Sequence, residues 1–198
     1  MIEKYPIESL ILKTKFKHHD KFKKQILKYF KEANDESYKI KDDYFNDKLI
    51  KTDWPKADDW ERPWIKYSVN ELYEQLNIFA QELGYQETKL HKMWYQQYEY
   101  NDVHNWHIHD GSYTGTYYVE YSKDCPTTQF LYPNNLNKSF TINVEEGDII
   151  FFPCFFIHRS AVSKSKKRKS IISWNVDFKN IKQEYIDNPL KVDILKKK

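Results

Sequence analysis

The sequence predicts an α+β chain in which helices come first and a jelly-roll barrel follows. Helical spacing of apolar residues is confined to the first 84 positions, and from Lys89 onward it gives way to short aromatic and β-branched runs separated by turn residues. With 16 Tyr, 12 Phe and 6 Trp against 4 Gly, the chain is also rich in side chains that suit a pleated, half-buried surface.

The first helix is expected from Asp20, a capping residue, to about Glu32, with Phe22, Ile26, Leu27 and Phe30 on one stripe. From Asp35 to Trp64 the chain is charged and aperiodic, with Trp54, Pro55, Trp60 and Pro63 scattered through it, and reads as a loop folding over the domain or its pocket. A second helix is marked by a capping box of Ser68 and Glu71, by the stripe Leu72, Leu76, Phe79, Ala80 and Leu83, and by Gly84 at its end. Strands are expected near 89–100, 113–121, 127–132, 139–144, 148–153 and 168–178. Turns separate them at Asn101-Asp102, Asp110-Gly111, Pro133-Asn134-Asn135 and Glu146-Gly147-Asp148. The 198 residues suit one domain: 1–88 as helical support and loop, 89–178 as the barrel core and 179–198 as a tail.

Charge and cysteines narrow the function classes. The 32 basic and 29 acidic side chains leave +3, a near balance that argues against a general binder of polyanions, so nucleic acid is unsupported as a partner. Cys125 and Cys154 are too few for a disulfide framework and lack the spacing of a zinc knuckle. No apolar run approaches the roughly 18 residues of a membrane span, and the first ten residues lack a signal peptide's apolar core. A soluble, intracellular protein is the expectation.

Three of the seven histidines fall within six residues, in His104-Asn-Trp-His107-Ile-His109-Asp110. Side chains alternate on an extended backbone, so His107 and His109 point the same way and can converge on one ion, while His104 has the other parity. Such a pair also fits a merely polar strand face. The second signal is Glu146-Gly147-Asp148 leading into an apolar strand, a break at Pro153, and then His158 in an otherwise apolar stretch. Alone, His158 would read as a core histidine bonded to backbone. The third is Arg168-Lys169-Ser170, ten residues on, where Arg168 and Ser170 share a strand face and together can bind a carboxylate. Lys164, Lys166, Lys167 and Lys169 read as a solvated basic turn.

In order and spacing these pieces resemble the 2-oxoglutarate- and Fe(II)-dependent oxygenases, whose members carry a His-x-Asp/Glu, a distal His and an Arg-x-Ser on a double-stranded β-helix. The resemblance covers about Met93 to Phe178. Tyr98-Glu-Tyr-Asn101, six residues before His107, resembles the strand and glycine turn of prolyl hydroxylases, with Asn101 able to adopt the same left-handed turn. Gly115-Thr-Tyr-Tyr118 resembles the strand where such enzymes place a tyrosine on the 2-oxoglutarate distal carboxylate, and Tyr118 is the matching position. His107-Ile-His109-Asp110-Gly-Ser112 is similar to a His-x-His variant, some members of which come from phages.

The resemblance implies Fe(II) held by His107, His109 and His158, 2-oxoglutarate fixed by Arg168, Ser170 and Tyr118, and hydroxylation of a peptide or protein side chain or of a small amino-acid-like metabolite with dioxygen. Asp110 is the alternative to His109 as the middle ligand. Two other classes stay open: a cupin-type dioxygenase that uses three histidines and no 2-oxoacid, and a non-catalytic ligand-binding barrel.

Overall fold

The computed structural model describes residues 8–35, 39–40 and 50–184. Two antiparallel sheets face each other, and two helices cover the outside of the larger one. The elements in chain order are β1 (Leu12–Lys15), α1 (His19–Asp35), β2 (Lys39–Ile40), β3 (Ile50–Thr52), α2 (Pro63–Glu82) and β4 (Tyr85–Tyr98). They continue with β5 (His104–His107), β6 (Tyr113–Glu120), β7 (Thr128–Tyr132), β8 (Asn135–Thr141), β9 (Asp148–Pro153), β10 (His158–Ser160) and β11 (Lys169–Ile181). The large sheet has the order β1-β9-β6-β11-β4-β3-β2 and the small one β5-β10-β7-β8. Both are part of a double-stranded β-helix supported by N-terminal helices.

Strand alternation sorts the apolar residues into two cores. Met93, Tyr95, Tyr117, Ile149, Phe151, Ile172, Trp174 and Val176 point outward, where Phe22, Ile26 and Phe30 of α1 and Trp64, Leu72, Leu76 and Phe79 of α2 bury them. Their neighbours Tyr98, Tyr118, Ile150, Phe152 and Ile171 point inward and meet Phe130 of the small sheet. Each face of β9 is therefore apolar, as its uninterrupted run Ile149-Ile-Phe-Phe requires. Gly115 is needed for close approach: a Cβ there would lie 2.5 Å from the Ile150 carbonyl and from the Trp174 ring.

Two expectations about the N-terminal half need correction. α2 begins at Pro63, five residues before the expected cap, because proline is preorganised for the first helical turn. Ser68 lies inside the helix and donates to the Trp64 carbonyl. The stretch expected to be an aperiodic loop contributes β2 and β3, and β3 pairs with β4; residues 36–38 and 41–49 of that stretch lie outside the described residues. The segment is anchored by Asp53, whose carboxylate accepts from the Trp64 indole (2.8 Å) and the Tyr95 amide (2.9 Å) and pairs with buried Arg62. Among the described residues no helix is long and apolar enough to cross a membrane.

Candidate functional site

Between the sheets lies a small cavity, with a free volume of about 20 Å³, lined by His104, His107, His109 and His158 at one part and by Tyr98, Tyr118, Thr128, Ser160 and Lys169 at another. Among the described residues one group of potential metal ligands stands out. His107, His109 and His158 each offer a ring nitrogen, and these atoms lie within 4.8 Å of one another. His107 sits on β5 opposite His158 on β10, so sheet pairing itself brings the two rings together across 51 residues of chain.

The protonation of two of these rings follows from their partners. A carbonyl can only accept, so His107 Nδ1–H donates to Asn105 O (2.6 Å) and His158 Nδ1–H to Phe156 O (2.8 Å). In a neutral ring so oriented, Nε2 carries the lone pair that a metal requires. His158 Nε2 lies 3.2 Å from His109 Nε2. Burial, reinforced by the neighbouring rings, pushes His109 well below the usual histidine range and His158 down to about 3. His109 and His158 are thus neutral, and three imidazole nitrogens so placed suit a borderline cation such as Fe(II). Asp110 is exposed and stands outside this group; its backbone carbonyl accepts from the Cys154 thiol, which burial pushes up to about 12.

The cationic end differs from expectation. Arg168 and Ser170 do not line the cavity. Arg168 is half-exposed and pairs with Glu120 at 2.8 Å, and Ser170 Oγ donates to the same carboxylate while accepting from Gln97. Lys169, read from sequence as part of a solvated turn, is 2% exposed and points inward. Its ammonium donates to Ser160 Oγ (2.6 Å) and Pro126 O (2.9 Å) and lies 4.2 Å from the centre of the Tyr98 ring. Among the described residues it has no carboxylate within ion-pair distance, and burial pulls it down to about 7. The physical reason is parity: Ile172, Trp174 and Val176 must face the helices, which puts Ser170 with them and Lys169 with Ile171 and Ser173 on the cavity side. Counting back from that outer stripe is the signal that could have found Lys169.

Tyr118 does line the cavity; its hydroxyl is 2.8 Å from Thr128 Oγ1 and accepts from the Thr128 amide. Asn101 adopts φ 68°, the left-handed turn expected of it before β5. Sequence reasoning also set His104 aside on parity, yet its ring stacks on His107 with 3.9 Å between centroids. A β-bulge accounts for this, because β10 takes two residues from His158 to Ser160 while β5 takes three from His107 to His104. At the other flank Trp94 stacks on His109, and Trp54 packs edge-on against Trp94.

No protein-family model matches the chain, and no curated protein matches it in sequence. Solved structures do match. A prolyl-4-hydroxylase from Pseudomonas putida aligns with TM-score 0.60 at 11% identity, over 87% of this chain and 93% of that one. A prolyl hydroxylase from Trichoplax adhaerens, in complex with a hypoxia inducible factor peptide fragment, gives 0.59 at 18% identity, over 83% and 82%. A non-haem α-ketoglutarate-dependent epimerase of nogalamycin biosynthesis gives 0.65 at 11% identity, over 84% and 76%. This is the fold of the 2-oxoglutarate Fe(II) oxygenases. At these identities the likeness is one of architecture, and within that oxygenase fold the His107–His109–His158 group lies in the cavity between the two sheets.

Proposed function

We propose that the protein is a non-haem Fe(II), 2-oxoglutarate-dependent oxygenase in which His107, His109 and His158 hold the metal and Lys169, with Tyr118, Thr128 and Ser160 around it, receives the distal carboxylate of the cosubstrate. The observation that carries this reading is the pairing, in one cavity, of three convergent imidazoles with a buried lysine that has no counter-ion among the described residues. A dicarboxylate that chelates a metal through one end and carries a second carboxylate at the other answers both features.

Bound Fe(II) and 2-oxoglutarate supply dioxygen activation, with succinate and carbon dioxide as by-products and hydroxylation of a C–H bond as the outcome. The protein's share is placement. Three neutral ligands leave the metal its full +2 charge, which the cosubstrate dianion offsets, so metal and cosubstrate bind with mutual support. The primary substrate we assign is a peptide side chain or a small amino-acid-like metabolite. Resemblance to prolyl hydroxylases supports that class.

The test is anaerobic addition of Fe(II) and 2-oxoglutarate, followed by the visible charge-transfer absorption of the chelate and then by succinate release once oxygen enters. Neither signal appearing refutes the assignment. The lack of a carboxylate among the three convergent ligands favours one second reading, a three-histidine dioxygenase that uses no 2-oxoacid. Stoichiometric iron without 2-oxoglutarate binding selects it, and no iron binding at all selects a non-catalytic barrel.

A further inference from the structure

The cavity holds a fourth imidazole that the metal group does not use. We infer that His104 is a binding residue for the dicarboxylate, presenting an Nε2–H donor to the anion beside the metal ligands; this rests on the reading of the site given above.

The argument starts from its partners. The ring lies nearly parallel to that of His107, at an interplanar angle of 22°, so its position is fixed on one side by a metal ligand. On the other side Nδ1 is 3.1 Å from Nε2 of the buried Gln96 amide. An amide NH2 only donates, so His104 Nδ1 accepts and the ring proton sits on Nε2. This is the opposite tautomer to His107 and His158, whose protons are on Nδ1.

Its Nε2–H has no hydrogen-bond partner among the described residues, although the ring lines the cavity. The atom is not fully enclosed, unlike the unpaired Ser163 Oγ, Trp174 Nε1 and Asn175 Oδ1, so it can take up a partner that enters the cavity. A fourth metal ligand would need a lone pair at that nitrogen, where His104 carries hydrogen, and its nitrogens fall outside the convergent group of three. What fits an unpaired N–H beside a cation site and a buried ammonium is an anionic oxygen.

The test uses the whole protein loaded with Zn(II), which is redox-silent and diamagnetic, and 2-oxoglutarate as the probe. His104→Phe keeps a flat ring against His107 and removes the donor. Calorimetry is expected to show 2-oxoglutarate binding weakened about tenfold to a hundredfold, the range for losing one hydrogen bond to a charged group. Zinc affinity should stay within about threefold, far from the loss that removing a ligand brings. Two-bond 1H–15N correlation spectra of the wild type should place the His104 proton on Nε2 and show that resonance moving when 2-oxoglutarate is added.

An unchanged 2-oxoglutarate affinity in the variant reduces His104 to a space filler and overturns the inference while leaving the oxygenase reading intact. A collapse of zinc affinity overturns it in favour of a fourth ligand. Failure of the wild type to bind 2-oxoglutarate removes the underlying reading and this inference together. Should His104→Phe not fold, the wild-type spectra decide: a proton on Nδ1, or an Nε2 resonance indifferent to 2-oxoglutarate, is equally fatal.

Discussion

At one part of the cavity three imidazoles are aimed at a common point, two of them held neutral by burial; at another a lysine is buried with no carboxylate opposite it among the described residues. Both arrangements cost folding free energy, since desolvation opposes the charged forms of His109, His158 and Lys169. They differ in how the chain manages that cost. His109 and His158 shed their charge, and His107 and His158 place Nδ1–H on backbone carbonyls, whereas Lys169 leans on a hydroxyl, a carbonyl and the face of Tyr98. The first region is a set of acceptors prepared for a cation, the second a donor prepared for an anion.

The sharpest way to break that comparison is at the metal. Replacing His107 or His158 with alanine is expected to lower metal affinity by more than about a hundredfold, beyond the range typical of groups that only support a ligand. Asp110→Ala should change it by less than about threefold, given an exposed carboxylate outside the convergent group. Metal titration of the three variants checks this, and a large loss in Asp110→Ala would make that carboxylate the middle ligand after all.

A smaller effect is expected at the other end. Lys169→Met should weaken 2-oxoglutarate binding about tenfold to a hundredfold with metal affinity retained, while Arg168→Ala, which breaks a half-exposed pair with Glu120, should change it less than about threefold. Calorimetry that finds the reverse order would restore Arg168 as the anchor.

The mildest signature is in pH. Because burial lowers Lys169 to about 7, a binding anion must find it protonated, and the 2-oxoglutarate dissociation constant should rise with pH above neutrality until it levels off at the loss expected for Lys169→Met. The stability of the protein without cosubstrate has the opposite slope. Between about 7 and the unperturbed 10.5 the unfolded chain holds a proton that the folded chain lacks, so stability is gained as pH rises through that window. Thermal melts of wild type and Lys169→Met at pH 6 and pH 10 read this: the variant should melt higher at pH 6, with the gap narrowing at pH 10.

The two parts of the cavity were also unequally legible in the sequence. His107 and His109 are two apart on an extended run, and His158 stands alone in an apolar stretch, so composition and alternation suffice to single them out. Lys169 was masked by its neighbours in a basic tract, and the tempting Arg-x-Ser pattern put the inward parity one residue away from where Ile172, Trp174 and Val176 set it. His104 was lost for a different reason: a bulge is a tertiary event, and no periodicity in four residues announces it. At the level of elements, α1 and the long strands β4, β6, β9 and β11 could be read from their spacing. Strands of three or four residues such as β1, β5 and β10 are too short for a period to show, and sheet pairing defines them instead.

The free space of about 20 Å³ is room for a water molecule or so. Lys169 Nζ carries three protons when charged, and Pro126 O and Ser160 Oγ take two of them. The third is left for an entering anion, so a carboxylate can be received without either of those ties being broken.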